Sequence, residues 1–503
     1  MTYNIFAETL KSVSTCKQTE NGANAFSTTR NACVDLFAVI GALRNGGDYE
    51  QRLHHLIDAA YAEDPLLLAK TLFYARDIRG GLGERKVFRD ALFYCAMKYP
   101  SVIKGNLWLI PTYGRWDDMF SLIGTPLEED MWKILKAQFM GDETALQAGA
   151  LSISLLAKWL PSADTSSKST RALAYLCAKN FDMTVYEYKR RVRALRKHLS
   201  ILETKMSAKK WAEINYRCIP AQAHCRHVAA FRRNDAERYQ QYLDKVKAGK
   251  TTIKTSTLYP YEIVEKLKIS WYDEEKYNEP YEIMWKNLPN YVSDSKANIL
   301  VMADTSGSMT MMNGRPMATS TSLAIYFAER NHGPFGNLYM TFDTHPRLIS
   351  IDPNMSLADK YRQLRGGPWG GSTNLVGAFE LLLDVAKKTN AKSEDMPKAL
   401  VVITDMEINA GGDDSKIWNT IVDTMRDKYA QAGYVLPNII FWNVASRHDT
   451  FLARSDYKGV QLVSGSSPTV FKSIIGFFNG MTPLDCVKEI LNNERYAAIR
   501  LAD

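Results

Sequence analysis

The chain has 503 residues, of which 46% are hydrophobic and 23% charged, with a net charge of +8. That length exceeds a single core and predicts several domains, or a repeat array joined to one. No run of about 18 apolar residues occurs, which excludes a membrane-spanning helix, and the polar stretch 1–32 lacks a signal-peptide core, so a cytoplasmic protein is expected. The seven cysteines are an odd number and mostly isolated, which predicts reduced, buried thiols. "CIPAQAHCRH" brings Cys218, His224, Cys225 and His227 together. It lacks the short C-x-x-C spacing of a zinc knuckle, so packing is the better account.

The charge is uneven. Residues 1–296 carry 43 Lys and Arg against 34 Asp and Glu, and residues 297–503 carry 20 against 21. Within the first part, residues 151–250 hold 21 against 8. Such a concentrated excess predicts a polyanionic partner rather than general solubility.

From about residue 27 to 290 the pattern is helical. "KVFRDALFYCAMKY" sets Phe88, Ala91, Leu92 and Cys95 on one face. "YARDIRGGLGERKVFRDAL" surrounds three glycines with Arg76, Arg79, Arg85 and Arg89, and with Asp77, Glu84 and Asp90. It predicts a turn between helices pinned by Arg–carboxylate pairs, and it contains no P-loop. "TVYEYKRRVRALRKHLSILETKMS" predicts one long amphipathic helix, with an apolar face running from Val185 to Met206 and a Thr184–Glu187 capping box.

On that helix Lys189, Arg193, Arg196 and Lys197 share a stripe away from the apolar face, and Arg190 and Arg191 flank it. Lys209, Lys210, Arg226, Arg232 and Arg233 follow, interleaved with Trp211, Tyr216, His227, Phe231 and Tyr239. Cations beside flat rings are what RNA phosphates and unstacked bases require. The expected RNA contacts are therefore Lys189, Arg190, Arg193, Arg196, Lys197, Lys209, Lys210, Arg226, Arg232 and Arg233. A solvated helix face is the plain alternative. Residues 248–264 look extended and predict an arm or a short hairpin ended by Pro260.

The period changes at 297. The apolar runs "NILVMA", "NLYMTF", "ALVVIT" and "NIIFWNV" alternate with "MATSTSLAIYFAER", "NLVGAFELLLDVAKK" and "DSKIWNTIVDTMRDKYAQA". Short buried strands between amphipathic helices predict a doubly wound α/β layer with its sites at the carboxyl ends of the strands. Three such ends or loops carry oxygen donors: "DTSGS" with Asp304, Ser306 and Ser308, "GGSTNL" with Thr373, and "VVITDME" with Asp405. A donor set of hydroxyls and carboxylates without Cys or His suits a hard cation, Mg²⁺ first, then Mn²⁺ or Ca²⁺.

This pattern resembles the metal-ion-dependent adhesion site of von Willebrand factor A domains: D-x-S-x-S, a Thr in a later loop, then an Asp after a central strand. All five positions match. The order of parts resembles the Ro ribonucleoproteins of the TROVE family. It is closer still to a related bacterial and phage family, through "RDIRGGLGER", "YGRWDD", "LAKWLPS", "RRVRALRKHLSILE" and "FRRNDAERYQQYL". The resemblance implies a HEAT-like helical array over 1–296, ring-shaped in Ro proteins. A Rossmann-like von Willebrand factor A domain over 297–503 would follow it.

The resemblance also implies function. The expected protein is a non-catalytic scaffold that binds small structured or misfolded RNA on its basic helices and takes an acidic protein partner at the metal. A metal-dependent protein adaptor without RNA is the second reading. A nuclease is the third, because the sequence offers no second metal cluster and no base paired with the first; His332 and His345 lie alone in loops. No membrane partner is expected.

Overall fold

The structure is a computed structural model that describes residues 15–43, 48–269, 274–292, 298–341, 345–366, 373–392, 394–409, 420–474 and 480–502. After a short antiparallel hairpin, β1 (Cys16–Gln18) and β2 (Asn24–Phe26), the chain is helical to Lys286. It then forms a six-stranded sheet: β3 (Ile299–Ala303), β4 (Leu338–Thr341), β5 (Arg347–Ser350), β6 (Ala399–Thr404), β7 (Asn438–Asn443) and β8 (Val460–Ser464). The order is β5-β4-β3-β6-β7-β8, parallel throughout except for the antiparallel edge strand β5.

Every residue of β3, β6 and β8 is buried, which is why β3 and β6 read as continuous apolar runs; β8, interrupted by Gln461 and Ser464, does not and is not among the expected strands. Helices Arg315–Arg330, Leu375–Thr389 and Ile421–Gln431 accompany the sheet. The first part of the last predicted helix, 414–419, lies outside the described residues. Phe327 packs between Trp442 and Phe471, with ring centroids 5.8 and 4.7 Å away. Burying each such side chain contributes about 1.5–3 kcal/mol. Among the described residues no helix is long and apolar enough to cross a membrane.

The glycine turn at 79–84 is pinned by carboxylates, as its sequence predicts, but the partners come from far along the chain. Asp118, from "YGRWDD", accepts from Arg76 Nε at 2.7 Å and from Arg89 Nε at 2.6 Å. Asp77 accepts from Arg495 Nη2 at 2.7 Å. A Cβ on Gly81 would lie 2.0 Å from the Tyr74 carbonyl oxygen, so only glycine allows the turn to close there. The same turn joins the helical part to the sheet part: the Thr469 hydroxyl donates to the Gly81 carbonyl at 3.0 Å. Further along, Gly41 N donates to Ser464 Oγ at 2.9 Å and Asn106 Nδ2 to the Arg500 carbonyl at 2.6 Å.

Two of the expected elements form differently. The predicted long helix forms with its Thr184–Glu187 capping box, but it ends at His198. Ser200 takes a left-handed φ of 51°, and a separate short helix, Leu202–Ser207, follows. Apolar spacing carries through the break because Leu199, Leu202 and Met206 still pack, half-buried, against the core. Residues 248–259 form no strand, and Pro260 starts a helix instead of ending an arm. Proline fits the first helical turn, where its missing N–H has no partner to lose.

Candidate functional site

Asp304 stands one residue past β3 and Asp405 one residue past the neighbouring β6, so adjacent parallel strands deliver both carboxylates to one edge of the sheet. The two are 0% and 2% exposed. Asp304 is held from both sides. Its Oδ1 accepts from Ser306 N at 2.9 Å, and its Oδ2 accepts from the Thr404 hydroxyl at 2.7 Å. Burial, and then the charge of Asp405, raise the Asp304 pKa well above the ordinary carboxylate value. Ser306 Oγ and Ser308 Oγ lie 3.0 Å apart on the turn Gly307–Thr310.

Thr373 enters from the loop before helix Leu375–Thr389. Its backbone is tied to Asn409, whose N–H donates to the Thr373 carbonyl at 3.1 Å and whose side chain accepts from Thr373 N. Asn409 lies four residues past Asp405, so this tie holds the threonine loop to the β6 end of the site. Thr373 is 1% exposed, and its hydroxyl has no hydrogen-bond partner. A buried hydroxyl without a partner costs about 1–3 kcal/mol.

Two buried carboxylates held in repulsion and one orphaned hydroxyl form a donor set that fits a hard divalent cation. The five residues that would hold it are Asp304, Ser306, Ser308, Thr373 and Asp405. Among the described residues no group of three or more His, Cys, Asp or Glu is placed to hold a metal. This set contains only two carboxylates, and its remaining donors are hydroxyls. In the "CIPAQAHCRH" segment His224 is wholly buried against Tyr239 while Cys218 is exposed, as packing predicts.

Sequence reading did not single out the side chains that reach the site from elsewhere. Arg447, from the loop after β7, places Nη2 3.0 Å from Asp405 Oδ2 and Nη1 2.7 Å from Glu20 Oε2. Glu20 also lies 2.7 Å from His448 Nε2, and its backbone N–H donates to the buried Glu407 carboxylate at 2.7 Å. The loop joining β1 and β2 therefore docks on the segment that follows Asp405. Met406, directly after Asp405, has a left-handed φ of 69°, which costs about 1 kcal/mol or more in a non-glycine residue and occurs where a site over-determines the backbone.

Arg447 offers Asp405 a resident positive charge. Replacing it by Gln is expected to raise divalent-cation affinity about tenfold, the size of one charge-assisted contact. Titration calorimetry with Mn²⁺ would measure this, and weaker binding by the variant would show that Arg447 positions Asp405 rather than competing for it.

The basic residues divide into three sets. Lys189, Arg193, Arg196, Lys197 and Lys210 line one cavity. Arg190, Lys209, Arg226 and Arg233 are exposed outside it. Arg232 is tied down: its Nη1 donates to the Tyr277 carbonyl at 2.8 Å, and it pairs with Glu279. Of the interleaved rings, Tyr216, Phe231 and Tyr239 are core, packed around His224, which leaves Trp211 and His227 half-buried.

Helices that lead into a mostly parallel α/β sheet, with an all-oxygen cluster at its carboxyl edge, define a two-part helical and Rossmann-like protein. The chain belongs to the family described as "Domain of unknown function (DUF2828)", whose model matches residues 19–131 and 116–297. Residues 298–493 match a second model, "Domain of unknown function (DUF7788)". The chain is similar to "Uncharacterized protein L728" of Acanthamoeba polyphaga mimivirus, at 28% identity over 93% of this chain and 86% of that protein. Among solved structures, the Ro (RSR) protein of Deinococcus radiodurans aligns at 14% identity with a TM-score of 0.39, over 87% of this chain and 90% of that one. A likeness at that level defines neither fold nor function.

Proposed function

We propose that this protein is a non-catalytic scaffold of Ro type. The basic helical region binds small structured or misfolded RNA, and the oxygen cluster, holding Mg²⁺ or a similar ion, takes the carboxylate of a protein partner. The observation that supports the RNA half is the run of cations from Lys189 to Arg233 in which Arg190, Arg193, Lys197, Lys209, Arg226 and Arg233 stay exposed. The partner half is supported by the donor set itself. Two carboxylates and three hydroxyls supply five oxygen donors, which leaves a six-coordinate dication one position for a further acidic oxygen.

RNA binding should fall steeply with salt. About six contacted phosphates predict a loss of roughly a thousandfold between about 50 and 200 mM salt, with little effect of chelator. Fluorescence anisotropy with a structured RNA would measure it. A flat salt response would refute the RNA half and leave the metal-dependent adaptor.

A further inference from the structure

The left-handed turn at Ser200 ends the helix Val185–His198 and starts Leu202–Ser207. Both segments, with residues 161–164 and with Lys210 and Glu213, wall a cavity of about 670 Å³. That volume lies within the range of small-ligand sites. The floor is apolar. Tyr188 and Val192 are buried there, and the Tyr188 hydroxyl is already committed to the Pro161 carbonyl at 2.8 Å.

The lining holds six cationic side chains and only two acidic ones. Both acids stand in ion pairs: Asp164 with Lys189 at 2.5 Å, and Glu213 with Lys210 at 2.8 Å. Lys205 is held by the Glu213 carbonyl at 2.9 Å. Arg193, Arg196 and Lys197 remain, and among the described residues no carboxylate pairs with them.

These three lie at i, i+3 and i+4 of one helix, where like charges repel. Arg196 is the informative member. Its Nε donates to the Ala157 carbonyl at 2.8 Å and its Nη2 to the Leu160 carbonyl at 2.5 Å. The guanidinium is thus fixed and half-buried, and burial lowers its pKa. A partly desolvated, immobilised guanidinium with two cations beside it and no counter-charge is what an anion site requires.

We infer that this cavity binds a nucleotide through a terminal phosphate held by Arg193, Arg196 and Lys197, with the nucleoside against the apolar floor. Both carboxylates of the lining are already neutralised in ion pairs, which leaves the three unpaired cations to meet a terminal phosphate. A terminal phosphate brings close to two negative charges where a phosphodiester brings one. The source is either a free nucleotide or the phosphorylated end of an RNA, and only the second rests on the RNA reading above.

The experiment uses the full chain and one 3′-labelled RNA sequence prepared with a 5′-triphosphate or a 5′-hydroxyl, read by anisotropy. Inorganic tripolyphosphate and ATP serve as competitors, and R193Q/K197Q as the variant. Both substituted side chains are exposed, and the variant's melting temperature checks its fold. The triphosphate RNA is expected to bind about tenfold more tightly than the hydroxyl RNA, the size of one or two charge-assisted hydrogen bonds. Tripolyphosphate should erase that advantage, and the variant should lack it. Binding of ATP and tripolyphosphate by the wild type but not by the variant, with no RNA bound, supports the pocket and refutes only the RNA reading. Equal binding of both RNAs, undisturbed by tripolyphosphate, overturns the pocket and leaves the RNA reading standing.

Discussion

Replacing Asp304 by Asn is expected to abolish divalent-cation binding and, at the same time, to stabilise the metal-free protein. The two effects share one cause. Asp304 is fully buried beside Asp405, and its pKa is raised by burial first and by that neighbour second. The folded chain therefore keeps a proton that the unfolded chain releases above about pH 4. Metal-free stability falls as pH rises from there through the raised value. An Asn side chain keeps an acceptor for Ser306 N and a polar group for Thr404 Oγ1, but it removes the charge. The gain at neutral pH should be on the order of 1–3 kcal/mol, and the stability lost by the wild type between about pH 4 and 7 should shrink in the variant.

Mg²⁺ should then stabilise the wild type by about 1.4 kcal/mol for each tenfold of cation above its dissociation constant, raising its melting temperature, and leave the variant unmoved. Thermal melts across pH, with and without Mg²⁺, measure both arms. A variant less stable than the wild type in chelator would show that the carboxylate is structural.

The other large effect lies in the helical region. Asp118 is fully buried and receives both Arg76, itself buried, and Arg89. Asp118→Ala leaves the Arg76 guanidinium buried without a counter-charge, and the expected cost is about 3–5 kcal/mol. Asp117, its neighbour, meets Arg89 at 2.7 Å in a partly exposed pair. Asp117→Ala should cost about 1 kcal/mol or less. Urea unfolding of the two variants side by side separates a buried network from a surface pair. Equal losses would contradict the assignment of Asp118 as the centre of that network.

The contrast between these residues also explains what was legible in the sequence. Asp304, Ser306 and Ser308 fall within one five-residue stretch, and strand ends mark Asp304 and Asp405, so local chemistry and period were enough to place them at one edge of the sheet. The Thr184–Glu187 box was visible because both partners sit within one turn. Arg447 and Glu20 were not visible, because they approach Asp405 from elements more than 400 positions apart, and nothing in either local pattern announces the meeting. The Asp118 network was half-legible: its arginines pointed to carboxylate partners, but the partner lay in a different motif. The break at Ser200 was hidden because no glycine marks it. Strands β5 and β8 were missed: β5 is a four-residue, mostly exposed edge strand without an apolar run, and β8 is interrupted by Gln461 and Ser464.

The most direct test of the central claim is to purify the full chain at low salt, extract any bound nucleic acid and sequence it. The account predicts a discrete small RNA that high salt releases and chelator does not. Nucleic-acid-free protein that also fails to bind RNA at low salt would contradict the scaffold reading, and the basic helices would then have to face an acidic protein instead.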